Sequence, residues 1–189
     1  MKFSRIAAIA FLFATQSLAQ PGPLPGAGGA GGTAPYIATT TGAVSLTGTT
    51  AETNLAALKI PANTIGKNGA VEIFTIWSYT NGSNNKSMLV RYTQGAASIV
   101  GGSTGVVTVA TTTTSASLGW IIRANNATNA QTWYAAGGQT PFGTAGTNIG
   151  TALTADTTQD TYININGQLA VGTDTLTLQH AYLVVYPHQ

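Results

Sequence analysis

The chain has 189 residues, of which 43% are hydrophobic and only 6% charged, a balance that disfavours disorder and supplies one ordinary core. Seven basic residues stand against five acidic ones. Lys2 and Arg5 lie in the leader described below, so five scattered cations face five carboxylates, which is no basic footprint for nucleic acid. The absence of cysteine excludes disulfides, thiolate nucleophiles and Cys-based metal sites.

In chain order, MKFSRIAAIAFLFATQSLAQ begins with Lys2 and Arg5, continues in an apolar run from Ile6 to Ala14, and carries small residues at Ser17 and Ala19. This is the anatomy of a secretory signal over residues 1–19, cleaved before Gln20. The run is too short for a spanning helix, which needs roughly 20 apolar residues. No membrane insertion is expected after cleavage, and the product is expected to be secreted, at the cell surface or virion-associated. Residues 20–35, rich in Gly and Pro, read as a flexible linker, because they bury too little to offset their ordering entropy. Residues 36–189 form the folded domain.

Beyond Tyr36, short β-branched and aromatic runs alternate with Gly, Asn, Thr and Ser, the pattern of strands and turns. Strands are expected at Ala43–Leu46, Thr53–Ile60, Ala70–Thr80, Ser87–Tyr92, Val106–Ala110, Ala116–Ala124, Gln131–Ala135, Thr161–Asn166 and Thr175–Tyr186. Only Thr50–Leu58 competes as a helix, and its passage through Ile60 into Pro61 suits a strand equally well. The fold class is therefore all-β, a single antiparallel β-sandwich. By period-two alternation, Val71, Ile73, Trp77 and Tyr79 share one face, with Phe74 and Ile76 on the other. In the last strand the same rule sets Leu176, Leu178, Tyr182, Val184 and Tyr186 against Leu183 and Val185. A sandwich strand buries one face, so two-sided apolar strands predict a homo-oligomer whose contact includes Phe74, Ile76, Leu183 and Val185.

Several strings match chemistry literally. GGSTG, Gly101–Gly105, fits the G-x-S-x-G nucleophile elbow at Ser103, with Asp156 and His180 in the required chain order. The following VVTVATTTT reads as a strand, whereas the elbow needs a helix. GAGGAG, Gly26–Gly31, fits a dinucleotide fingerprint but lies in the linker. His180 falls inside the terminal strand on its apolar side, and His188 is expected to fray. Asp156 and Asp160 sit in a polar turn and offer too few oxygens for calcium. No enzyme activity, cofactor or metal is expected.

Trp120 is expected in the core beside Leu118 and Ile122. Trp133 and Tyr134 are adjacent and must point to opposite faces. With Asn126 and Asn129, and with Asn125 and Gln131 nearby, they make the best candidate for stacking and hydrogen bonding to a surface glycan.

The segment TGTTAETNLAALKIPANTIGKNGAVEIFTIWSYTNGSNNKSMLVRY, Thr47 to Tyr92, resembles a stretch of bacteriophage virion proteins of β-sandwich type. The resemblance lies in the IPAxxIGxNG turn, the long strand ending in WSYTN, and NNK entering the next strand. INGQLAVGTDTLTLQHAYLVVYP, Ile165 to Pro187, is similar to their closing turn and strand. The resemblance implies a jelly-roll-like module of tail-fibre, head-fibre or decoration type, trimeric as such modules often are, and it brings no catalytic residues. The expected function is an exported structural or attachment module with a host-surface partner. A secreted carbohydrate-binding module and a bacterial surface adhesin are the alternatives.

Overall fold

A computed structural model describes residues 34–95, 97, 103–109, 114–136 and 150–188. The expected leader and most of the expected linker lie outside the described residues, as do Gly101 and Gly102. The described residues form eleven strands: β1 Tyr36–Thr39, β2 Val44–Thr47, β3 Thr53–Ile60, β4 Ala70–Tyr79, β5 Lys86–Gln94, β6 Ser103–Val109, β7 Ser115–Ala124, β8 Gln131–Ala136, β9 Thr151–Leu153, β10 Thr161–Leu169 and β11 Thr175–Tyr186. The Thr50–Leu58 ambiguity resolves as β3, which stops before Pro61, a residue with no N–H for a ladder.

All pairings are antiparallel and divide the strands between two sheets. The larger runs β1-β11-β4-β7-β8-β9, with β2 also on β11, and the smaller runs β3-β10-β5-β6. Strand β1 pairs with Tyr182–Val185 and β2 with Thr175–Leu178, so the two lie end to end along one side of β11. Leaving out β1, β8 and β9, the sheets are β2-β11-β4-β7 and β3-β10-β5-β6. Eight strands crossing repeatedly between two sheets in this order make a jelly roll. The β8 and β9 strands widen one layer beyond β7.

The core follows from alternation. Val71, Ile73, Trp77 and Tyr79 of β4 face Leu58, Ile60, Met88, Val90, Tyr92, Ile163 and Ile165 of the opposite layer within one buried cluster. Leu118, Trp120 and Ile122 line β7 on the same inner side, as alternation predicts for Trp120. Thr75, also inward, accepts a hydrogen bond from the Trp77 indole Nε1 at 2.8 Å, which satisfies the one polar atom of a fully buried tryptophan.

Strand β11 departs from simple alternation. Leu178 pairs with Trp77 and His180 with Ile76, leaving Gln179 as an extra residue. This β-bulge turns the strand by one residue. Leu176 and Leu178 are buried before it and Ala181, Leu183 and Val185 after it. Leu183 and Val185 are thus fully buried core residues and do not belong to an outer contact, contrary to the sequence expectation. Tyr182, Val184 and Tyr186 take the outer face instead.

The IPAxxIGxNG turn before β4 has a physical basis. Ile65 is buried in the core, while Asn63 and Gly66 take positive φ of 61° and 73°. A Cβ at Gly69 would stand 1.9 Å from the Ile65 carbonyl oxygen, so no other residue fits there. The same turn holds the C-terminal segment: the Asn68 N–H donates to the His188 carbonyl at 3.1 Å and the His188 N–H to that of Ile65 at 3.3 Å. His188 is consequently tied to the fold rather than frayed.

Candidate functional site

The outer face of the large sheet is unusually apolar. Pairing registers place Ile37, Val184, Glu72, Ile121 and Tyr134 in one row running across β1, β11, β4, β7 and β8. Tyr182 and Phe74 are neighbours in the adjacent row, with ring centroids 5.5 Å apart. Ile37 is 45% exposed, Tyr186 46% and Tyr134 41%. Ile76 and Ile121 are also exposed, while Phe74, Tyr182 and Val184 are half-buried. Among these side chains the Glu72 carboxylate accepts a hydrogen bond from the Tyr186 hydroxyl at 3.1 Å. That contact pushes the Tyr186 hydroxyl above its ordinary pKa. Arg123 is exposed two residues along β7 from Ile121.

The outer side of the small sheet carries a polar network instead. Arg91 of β5 makes a bidentate pair with Glu52, Nε to Oε1 and Nη2 to Oε2 both at 2.7 Å. The Asn166 amide also donates to Glu52, and Asn54 donates to Asn166 at 2.8 Å. Asn164 donates to the Thr93 hydroxyl at 2.8 Å, both residues buried. The Arg91 guanidinium holds the Glu52 carboxyl below the usual carboxylate range, against the opposing effect of partial burial, with help from Asn166.

Each of the five carboxylates is engaged in contacts that shape the fold. Asp160 pairs with Lys59 at 2.7 Å and accepts from the Ala62 N–H at 3.0 Å. Asp156 caps its own turn, accepting from the Thr158 N–H at 2.9 Å and its hydroxyl at 2.7 Å. Asp174 meets the buried Lys86 ammonium at 3.1 Å. Glu52 and Glu72 have the partners already given. Contacts to Lys59 and to Thr158, respectively, hold the carboxyls of Asp160 and Asp156 below their usual range.

The residues singled out from sequence are dispersed. Trp133 is 6% exposed and belongs to the core cluster, so it does not join a glycan platform. Tyr134, its neighbour, faces outward on the apolar sheet. Asn126 and Asn129 are exposed in the β7–β8 turn, where Asn126 takes a positive φ of 57°. That turn is held by backbone and amide contacts, Asn125 to Thr132 at 2.8 Å and Gln131 to the Thr128 and Ala155 carbonyls at 3.0 and 2.9 Å. Phe74 and Ile76 do lie on the outer face as expected.

Ser103 opens β6 of the small sheet, and β6 continues as a strand through Val109. His180 is half-buried on the outer face of the other sheet, its Nε2 3.4 Å from the Thr39 hydroxyl. The two sandwich layers therefore separate the residues of that literal motif. Asp156 and Asp160 turn to different partners, and among the described residues no cluster of three or more His, Asp or Glu could hold a metal.

The polar network escaped sequence reading because Glu52 and Asn166 are 114 positions apart. A faint signal was present in INING, where Asn164 and Asn166 alternate with buried isoleucines.

No family model matches the chain, and no curated relative does. Solved structures with some likeness include the basic winged bean lectin with Tn-antigen, at 8% identity and a TM-score of 0.31, covering 80% of this chain and 98% of that one. Mud Crab Dicistrovirus is similar at 10% identity and a TM-score of 0.32, covering 98% of this chain and 85% of that one.

Proposed function

We propose that this chain is an exported, non-enzymatic structural or attachment module of phage-virion-like type, displayed on a particle or a cell surface. The engagement of all five carboxylates in fold-shaping contacts carries the reading. A hydrolytic site needs a carboxylate or imidazole aimed at a reacting group with a tuned pKa. Here each acid closes a turn, pairs a cation or joins a neighbouring strand. The remaining surface is built largely from Thr, Ser, Asn and Gly, whose hydrogen bonding changes little with salt or pH. Such a coat suits a module that works outside the cell.

Immunogold labelling of intact particles and cell surfaces from a producing culture tests the proposal. Label on either surface is the expected result. Protein found only free in the medium would overturn the displayed role, and a hydrolytic activity that disappears in Ser103→Ala would overturn the non-enzymatic one.

A further inference from the structure

We infer that the folded chain modifies itself at Asn81, converting this asparagine to a mixture of aspartate and isoaspartate, while two other asparagines in the same dipeptide stay intact. Asn-Gly occurs three times, as Asn68-Gly69, Asn81-Gly82 and Asn166-Gly167. The pair is open to this reaction because glycine sets no side chain in the way of its own nitrogen. The Gly nitrogen attacks the Asn Cγ and a C–N bond forms. The Cγ–Nδ2 bond breaks, and ammonia leaves with the proton of the attacking nitrogen. Water then adds to either carbonyl of the five-membered succinimide ring. Opening one side gives aspartate, and opening the other gives isoaspartate, whose backbone is one methylene longer.

The fold decides which of the three pairs reacts. Attack needs the Asn side chain to swing back over the following nitrogen, an N–H released from any acceptor, and a backbone able to turn. Asn166 and Gly167 lie inside β10, paired on one side with Asn54 and Thr53 and on the other with Leu89 and Met88. Asn166 is fully buried, its amide donates to Glu52, and its oxygen accepts from Asn54 at 2.8 Å. Turning that peptide would break two ladders and leave buried polar groups unpaired. At the second pair the Asn68 N–H donates to the His188 carbonyl at 3.1 Å, and the Gly69 carbonyl accepts from the Ala124 N–H at 2.9 Å. A Cβ on Gly69 would strike the carbonyls of Ile65 and Tyr186, so the backbone there has no room to turn.

Asn81-Gly82 is held by none of these restraints. Asn81 is exposed in the β4–β5 turn, and nothing lies within 4 Å of where a Cβ on Gly82 would stand. Neither the Asn81 side chain nor the Gly82 N–H has a hydrogen-bond partner among the described residues. The clamps of this turn lie outside the reacting pair. The Thr80 N–H donates to the Thr175 carbonyl at 2.9 Å, the Thr175 N–H to the Thr80 hydroxyl at 2.8 Å, and the Ala170 N–H to the Asn85 carbonyl at 2.9 Å. An added methylene is therefore taken up between Thr80 and Asn85, and β4 and β5 keep their register. The stretch TNGSNN at 80–85 carries no charge, so the reaction gives it a carboxylate, acquired with age and without unfolding.

This chemistry is independent of the attachment reading. Purified protein held for weeks at mildly alkaline pH is digested with trypsin, and tandem mass spectrometry locates each amide-to-acid change. The peptide 68–86 holds Asn68 and Asn81 together and so supplies an internal control. A parallel sample in guanidinium chloride gives the rates of the unfolded chain. In the folded protein Asn81 should convert at least about tenfold faster than Asn68 or Asn166, whereas in denaturant, with the local protection of the fold removed, the three should convert at similar rates. The converted protein, separated by charge, should still melt cooperatively. Conversion at Asn68 or Asn166 as fast as at Asn81 in the folded protein would overturn the inference. So would an intact Asn81 once the denatured sample has fully reacted, or a converted protein that no longer melts cooperatively.

Discussion

Lys86 is the most exacting single residue of the fold. Its side chain points inward from the start of β5, 1% exposed, where alternation would call for an apolar residue like Met88 or Val90. Asp174 on one side at 3.1 Å and the Asn84 carbonyl at 2.8 Å make that burial tolerable. Replacing one member strands the other charge in a dry site, which costs about 3–5 kcal/mol. Lys86→Met should therefore lose that much stability in urea unfolding, and adding Asp174→Leu should recover a large part of it. A single variant as stable as the parent would show that water reaches the pair.

The Glu52–Arg91 pair yields a pH dependence of definite sign. Its Arg91 contact lowers the folded-state pKa of the Glu52 carboxyl below its ordinary value, so folding favours the charged form. The stabilisation is complete above the unfolded pKa and is lost as pH falls through the lower folded one. Urea midpoints of the parent and Glu52→Gln, compared from neutral pH downward, should differ most near neutrality and converge in acid. Glu52 itself gave no sign of this role in the sequence, because its partners on β5 and β10 are distant in the chain. Trp133 and Tyr134 show the complementary limit: alternation required one in and one out, but only the packing of β8 against β7 decided which.

At the level of elements, strand existence was readable where apolar alternation is long, as in β3, β4, β7 and β11. The four-residue β1 and three-residue β9 were not, since neither is long enough to display a period. The faces of β11 were misread for one physical reason, the bulge at Gln179, which no local pattern announces. It has a testable consequence. Removing Gln179 leaves Leu176, Leu178, Ala181, Leu183 and Val185 alternating regularly toward the core, in the register they already hold against β4. The deletion should cost under about 1 kcal/mol, or about 2–4 °C in melting temperature for a domain of this size. Inserting one glycine between Ile73 and Phe74 should instead prevent folding, because it sends every inward side chain after it to the outer face. Thermal unfolding of both variants checks the contrast.

For the whole molecule, the jelly roll makes the last strand the one on which the large sheet depends. Strand β11 is hydrogen-bonded along one side to both β1 and β2 and along the other to β4. Tyr36 pairs with Val185, so the two ends of the described chain must meet before that sheet is complete. Closing such long loops costs entropy before any contact offsets it, and sandwiches built on non-local pairing fold in about milliseconds to seconds rather than microseconds. Refolding followed by tryptophan fluorescence should fall in that slow range, because Trp77 and Trp120 are enclosed only when β4 and β7 have their neighbours and the second layer in place. A chain ending before Thr175 should show no native fluorescence or cooperative melting, as it lacks Leu176, Leu178, Leu183 and Val185 from the core and leaves β4 without one partner. A truncated chain that still unfolds cooperatively would show that β4, β7 and the small sheet form a stable unit alone, and that β11 docks onto a domain already folded.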